Sequence, residues 1–253
     1  MKKNQFKAAI QANQTTYGVW NGLPDTYVAE ILAGAGFDWV LIDGEHAPFD
    51  LRTILAQMQA INQFETSIIV RPPVGDVHLI KQLLEIGVQN LLVPMVETAE
   101  QAQTLYQAMQ YPPVGVRGVG AALSRGAQWT RTADYFKNAG AEMCLIVQVE
   151  SVLGIQNLDE ILKTQGVDGV FIGPADLAAS MGFIGQPNHP EVKTVILKAL
   201  KMIRAAHKTA GILSINKALA DEYTAAGANM LGVGVDTLLL AKATRELADL
   251  YKK

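Results

Sequence analysis

The stretch DWVLIDGEHAP, residues 38–48, joins an unbroken apolar run, Trp39 to Ile42, to a knot of reactive side chains, Asp43, Glu45 and His46, with Gly44 among them. An apolar run without in/out alternation suits a strand buried on both faces, as in a parallel sheet covered by helices. The same unit recurs outward in both directions. Runs rich in Val, Ile and Leu begin at Thr16 (TYGVW), Ser67 (SIIVR), Asn90 (NLLVPM), Met143 (MCLIVQVE), Gly169 (GVFIG), Gly211 (GILSI) and Asn229 (NMLGVGVD), making eight candidate strands. Helical segments lie between them. Pro24 to Gly34 is expected to open on its proline and close on its glycine, Thr98 to Gln110 to start at a capping threonine, and Pro190 to open a long helix ending near Lys208. Eight strands alternating with helices in 253 residues favour one closed (β/α)8 TIM barrel, parallel throughout, over an open doubly wound sheet. No GxGxxG turn supports a dinucleotide-binding fold.

The interval Gly115 to Lys137 breaks the alternation, and a connection of that length is commonly functional. Composition narrows the function classes. With 49% hydrophobic residues the chain can bury one large core; 21 basic and 24 acidic residues give a net charge of -3, with no basic run to track a nucleic acid. The amino terminus lacks a signal-peptide pattern, and no run of about 18 apolar residues is available to span a bilayer, so a soluble cytoplasmic chain without membrane partners is expected. The single cysteine, Cys144, falls within an apolar run, where a buried inert thiol is expected.

In such a barrel, chemistry gathers at the carboxyl ends of the strands. Here those ends read Asp43-Gly44-Glu45-His46, Arg71, Gln148-Val149-Glu150 and Gly173-Pro174-Ala175-Asp176. Two carboxylates brought together repel unless a cation or a proton separates them, so Glu150 and Asp176 form a natural pair for a hard divalent ion; each is also compatible with simple helix capping. His46 suits proton transfer if a carboxylate orients it, Asp43 and Glu85 being the candidates, though a lone loop histidine is also commonly incidental. Arg71 suits an enolate or carbonyl oxygen, or equally an ion pair at the mouth. Amides near Gly173 and Ala175 suit a substrate carboxylate at the start of a helix. No candidate strand contains a lysine, so a Schiff base has no carrier and the electron sink is expected to be a metal ion.

Longer motifs sharpen this reading. DWVLIDGEHAP, RPP, IKQLLEIG, LLVPMVETAEQA, YPPVGVRGVG, VQVES, GVDGVFIGPADLAASMG, HPEV and GVGVDT, in this order from about Tyr17 to about Ala241, resemble the class II 4-hydroxy-2-oxoheptanedioate aldolase family. That family also holds 2-keto-3-deoxyrhamnonate and 2-dehydro-3-deoxyglucarate aldolases, and its barrel is of the phosphoenolpyruvate/pyruvate type. The resemblance implies His46 as catalytic base with Asp43 beside it, Arg71 as transition-state stabiliser, and Glu150 and Asp176 as ligands of Mg²⁺, Mn²⁺ or Co²⁺, with Zn²⁺ also admissible. It implies Gln148, Gly173, Ala175 and Asp176 as substrate contacts. The family's helix-borne acid that supports the histidine is usually aspartate; the matching residue here is Glu85, longer by one methylene. The implied reaction is reversible aldol cleavage of a 4-hydroxy-2-oxo acid to pyruvate and an aldehyde, succinic semialdehyde for the heptanedioate of homoprotocatechuate breakdown. A homohexamer is implied, two trimers with the C-terminal helix, about residues 238–251, exchanged between subunits. A sugar-acid aldolase shares every residue named, with Arg117, Arg125 and Ser214 as candidates for the aldehyde side. A non-catalytic barrel holding a phosphate on LSIN and LGVGVD is the rival from another class.

Overall fold

The computed structural model describes residues 2–252. Helix α1 (Gln5–Gln11) precedes β1 (Thr16–Asn21), α2 (Thr26–Ala33), β2 (Trp39–Asp43), α3 (Leu51–Ile61), β3 (Ser67–Arg71), α4 (Val77–Glu85), β4 (Asn90–Val93) and α5 (Ala99–Met109). The second half runs α6 (Tyr135–Asn138), β5 (Cys144–Val149), α7 (Val152–Gln156), α8 (Leu158–Lys163), β6 (Val167–Ile172), α9 (Pro174–Ser180), α10 (Pro190–Ala205), β7 (Thr209–Leu213), α11 (Lys217–Ala225), β8 (Met230–Val235) and α12 (Asp236–Tyr251). The strands pair in parallel in sequence order, and β1 closes on β8, so the sheet is a barrel with no free edge. All eight expected strands are present.

Period two along each strand sorts the core into two layers. Trp39 and Leu41 of β2, Ile69 of β3, Leu92 of β4, Cys144 and Ile146 of β5 and Phe171 of β6 fill the barrel interior, while Phe6 and Ile10 of α1 join that cluster from below. The alternate residues, Val40, Ile42, Val70, Val147 and Val170 among them, pack outward against the helices. Cys144 is fully buried and burial holds its thiol well above the ordinary range, in keeping with an inert core residue.

Helix ends shift the expected boundaries in instructive ways. Pro24 does not open α2: the Asp25 side chain accepts from the Tyr27 N–H at 2.7 Å and caps the helix one residue later. Thr98 caps α5 in a full capping box with Gln101. Helix α10 stops at Ala205, and His207 sits in the following turn at φ +57° rather than on the helix. The stretch from Gly115 to Asp134 has turns but no regular element, and α6 follows it. No helix among the described residues is long and apolar enough to cross a membrane.

Gly18 of β1 faces the Trp39 indole so closely that a β-carbon there would overlap the ring. Gly18→Ala is therefore expected to lower stability by about 1–3 kcal/mol through overpacking. The shift of the urea unfolding midpoint measures this, and an unchanged midpoint contradicts the interior packing described.

Candidate active site

The two-residue period that fills the barrel interior also delivers the polar groups. Asp43 continues the inward series Trp39, Leu41; Arg71 continues Ile69; Gln148 and Glu150 continue Cys144, Ile146; and Gly173 continues Phe171. All lie at the carboxyl ends of their strands, so the core hands over to a polar mouth within one turn of chain.

Asp43 and Arg71 are directly paired in the parallel register of β2 and β3. Their side chains form a two-pronged ion pair, Arg71 Nε donating to Asp43 Oδ1 at 2.8 Å and Nη2 to Oδ2 at 2.5 Å, with both groups buried. Asp43 Oδ1 also accepts from the amides of Glu45 (3.1 Å) and His46 (3.4 Å), so the same carboxylate shapes the turn that carries the histidine. Arg71 Nη1 reaches Glu45 Oε2 at 2.9 Å and donates to Gln148 Oε1 at 3.4 Å. Gln148 donates its amide Nε2 to Glu150 Oε2, and the Met95 amide donates to Glu150 Oε1 at 2.9 Å. Met95 takes φ +57° to do so, a left-handed conformation that a non-glycine residue adopts at a cost. Gly173 completes the cradle, since a β-carbon there would overlap the Glu150 carboxylate.

The electrostatics are those of a site with surplus negative charge. Burial pushes Glu150 up to about 7; hydrogen bonds from Gln148 and Met95 oppose this, and the charges of Asp176 and Glu45 add to it. Burial likewise raises Glu45, against the pull of Arg71 and His46 and with the push of Asp43 and Asp176. Glu45 Oε2 is buried and accepts no hydrogen bond of good geometry. Asp176 is exposed in the first turn of α9, where Pro174 has no N–H and the amides of Ala175 and Asp176 have no helical acceptor. His46 is 63% exposed, with Nε2 3.6 Å from Glu45 Oε2.

A hard divalent ion fits this donor set. Glu150 and Asp176 offer carboxylate oxygens beside a third carboxylate, Glu45, while the one nearby guanidinium is shared between Asp43 and Glu45. Among the described residues no three His, Cys, Asp or Glu side chains gather into a closed cage, so such an ion would complete its shell with water and substrate oxygens.

Glu85, Arg117 and Arg125 stand apart from this cluster. Helix α4 runs back from the mouth, so Glu85 at its last turn lies toward the amino-terminal end of the barrel, where Arg117 Nη2 pairs with its carboxylate at 3.1 Å. Arg117 is fully buried against Tyr111 and Tyr135, and Arg125 donates to the Ile86 carbonyl at the same end. Ser214 follows β7 at the mouth end. Glu45 is the member of the cluster that the sequence reading left without a role. The signal was present, since it stands between Asp43 and His46, but its contact with Arg71 depends on the β2–β3 register.

Residues 16–243 match the family model described as HpcH/HpaI aldolase/citrate lyase. The chain is 58% identical to a hydroxypyruvate/pyruvate aldolase of Deinococcus radiodurans, over 98% of this chain and 90% of that protein. It is 51% identical to a 4-hydroxy-2-oxo-heptane-1,7-dioate aldolase of Escherichia coli, over 97% of this chain and 94% of the other. A solved HpcH/HpaI aldolase/citrate lyase family protein from Burkholderia cenocepacia superposes with a TM-score of 0.95 at 35% identity, covering 99% of this chain and all of its own. With the family model spanning nearly the whole barrel and a charged cluster at the barrel's carboxyl-terminal mouth, the chain is an enzyme of the HpcH/HpaI aldolase/citrate lyase family.

Proposed function

We propose that this chain, as one barrel domain in the cytoplasm, is a metal-dependent pyruvate aldolase that reversibly cleaves 4-hydroxy-2-oxoheptanedioate to pyruvate and succinic semialdehyde, a step of aromatic catabolism. The observation that carries the reading is the Asp43–Arg71–Glu45 ion-pair cluster set against Gln148 and Glu150 at the barrel mouth. When bound by Glu150 and Asp176, the divalent ion would supply Lewis-acid polarisation of the substrate's 2-oxo group; Mg²⁺ and Mn²⁺ suit the oxygen donors, and the family resemblance adds Co²⁺. The free amides of Ala175 and Asp176 and the side chain of Gln148 hold the substrate carboxylate. His46, oriented by Glu45 through Nε2, takes the C4 hydroxyl proton at its other ring nitrogen, Nδ1, as the C3–C4 bond breaks and the aldehyde leaves. Arg71, its Nε and Nη2 held by Asp43, turns Nη1 from Glu45 and Gln148 to the developing enolate oxygen. Proton return to C3 then gives pyruvate.

Two neighbouring readings share these residues. The 58% identity to a protein named hydroxypyruvate/pyruvate aldolase favours hydroxypyruvate as an alternative to pyruvate on the enolate side. On the aldehyde side, a 2-keto-3-deoxy sugar acid remains the alternative; Arg117 and Arg125 lie at the far end of the barrel, so neither argues from within one chain for a second carboxylate.

Assembly enters the same reading. Glu85 and His46 sit at opposite ends of one barrel, so the acid that supports the histidine by resemblance can do so only from a second copy. Helix α12 supports contact between copies: beyond the buried Asp236 it is exposed, including Leu238, Leu239, Leu240, Leu247 and Leu250. An exposed apolar surface of this kind suits an interface between copies. We read it as the helix exchanged in a homohexamer.

Pyruvate release from the heptanedioate substrate and from 2-keto-3-deoxyrhamnonate, first in chelator and then with Mg²⁺, Mn²⁺ or Co²⁺ restored, tests the function. Metal-restored cleavage with a higher kcat/KM for the heptanedioate is expected. A higher value for the sugar acid selects that reading, and no pyruvate from either removes the proposal. Arg71→Lys, which keeps the charge but loses the two-pronged geometry, is expected to lower kcat about 10²–10³-fold while pyruvate binding is retained; unchanged kcat removes the enolate role. Light scattering is expected to give six copies for the full chain and a smaller species when residues 238–253 are deleted, whereas an unchanged mass would show that α12 is not the exchanged element.

A further inference from the structure

At the end of the barrel away from the cluster, a groove of about 510 Å³ opens between the amino-terminal segment and residues 125–132, over the starts of β3 and β4. That volume is the size of a small-molecule site. Its charged lining is Lys2, Lys3, Arg125 and Arg131 against one carboxylate, Glu65. This local excess of cations stands out in a chain whose net charge is -3.

The two guanidinium groups are tethered rather than neutralised. Arg125 Nη1 donates to the Ile86 carbonyl at 2.8 Å and Arg131 Nε to the Gln128 carbonyl at 3.1 Å, and neither has a carboxylate partner among the described residues. Arg125 is partly buried, and burial lowers its guanidinium from the ordinary value, so a charged donor is held in a poorly solvated position without a counter-ion. Gln128, Trp129 and Thr130 all take left-handed backbone, φ +50°, +52° and +72°, and the segment is held there by the Trp129 amide on Ser124 O (3.0 Å) and the Thr132 amide on Ala127 O (3.2 Å). Strain of this kind in three consecutive non-glycine residues is maintained at a cost. It sets Trp129 on the groove wall with Arg131 5.0 Å above its ring.

We propose that this groove is a second, non-catalytic ligand site that takes a phosphate-bearing small molecule, anchored by Arg125 and Arg131 and flanked by Lys2 and Lys3. Guanidinium forks match phosphate oxygens in pairs, and the groove has room for an organic group beyond the phosphate. Within one chain the groove and the cluster at the barrel mouth lie at opposite ends of the barrel.

Trp129 supplies the readout, being 51% exposed while Trp20 (4%) and Trp39 (0%) are buried. The full-length protein is titrated with glucose 6-phosphate at constant ionic strength, following tryptophan fluorescence and, in parallel, thermal midpoint; inorganic phosphate, citrate and unphosphorylated glucose are the comparison arms. Saturable change with glucose 6-phosphate is expected, weaker with inorganic phosphate and absent with glucose. Arg125→Gln is expected to raise the apparent Kd about tenfold or more, and Arg71→Lys to leave it unchanged. Absence of saturation in both readouts up to about 10 mM, tighter binding of citrate than of either phosphate, insensitivity to Arg125→Gln, or loss of binding in Arg71→Lys would each overturn the proposal.

Discussion

Closure of the sheet is the constraint from which the rest follows. Because β1 pairs with β8, every strand has two fixed neighbours and a fixed register, and no strand can slide without breaking a ladder on each side. A register shift of one residue would turn Asp43 out of the barrel and bring Ile42 in. The site is thus held by the same hydrogen bonds that hold the fold, with the interior packing of Trp39, Leu41, Ile69, Ile146 and Phe171 beneath it as a floor.

On that floor the protein buries charge, which water would otherwise stabilise. The Asp43–Arg71 pair is tolerable because both prongs are made and the remaining Asp43 valence is filled by the turn amides. Breaking such a pair by removing one partner typically costs about 3–5 kcal/mol. Glu45 and Glu150 are not neutralised to the same degree: desolvation raises both carboxyls, and each feels Asp176. A site with unspent negative charge beside exposed helix-start amides is suited to hold a cation and an oxyanion together, the two things that a 2-oxo acid and its counter-ion bring.

The two ends of the barrel divide the work. At the carboxyl-terminal mouth, short turns after the strands present the reactive groups. At the other end, α1 plugs the interior, and the long segment after α5 folds over the outside with Arg117 clamped between Tyr111, Tyr135 and Glu85. Arg117 keeps two donor atoms, Nε and Nη1, without partners in its buried position.

The sequence by itself determined the barrel, because continuous apolar runs alternating with capped helices leave few other ways to cover a parallel sheet. It also determined which residues stand at the strand ends, since Asp43, Arg71, Gln148, Glu150 and Gly173 follow their apolar runs directly in the chain. Period two even aligns them with the inward residues Trp39, Ile69, Ile146 and Phe171. What lay beyond it was every relation across chain segments. The register that sets Asp43 beside Arg71, the reach of Glu45 to the same guanidinium and the left-handed turn that brings the Met95 amide to Glu150 are decided between strands. The placing of Glu85, Arg117 and Arg125 at the far end was decided only by tertiary structure too, because a helix reverses direction after its strand. Local propensity fixes what a segment becomes, whereas contacts between segments depend on how all eight close upon one another.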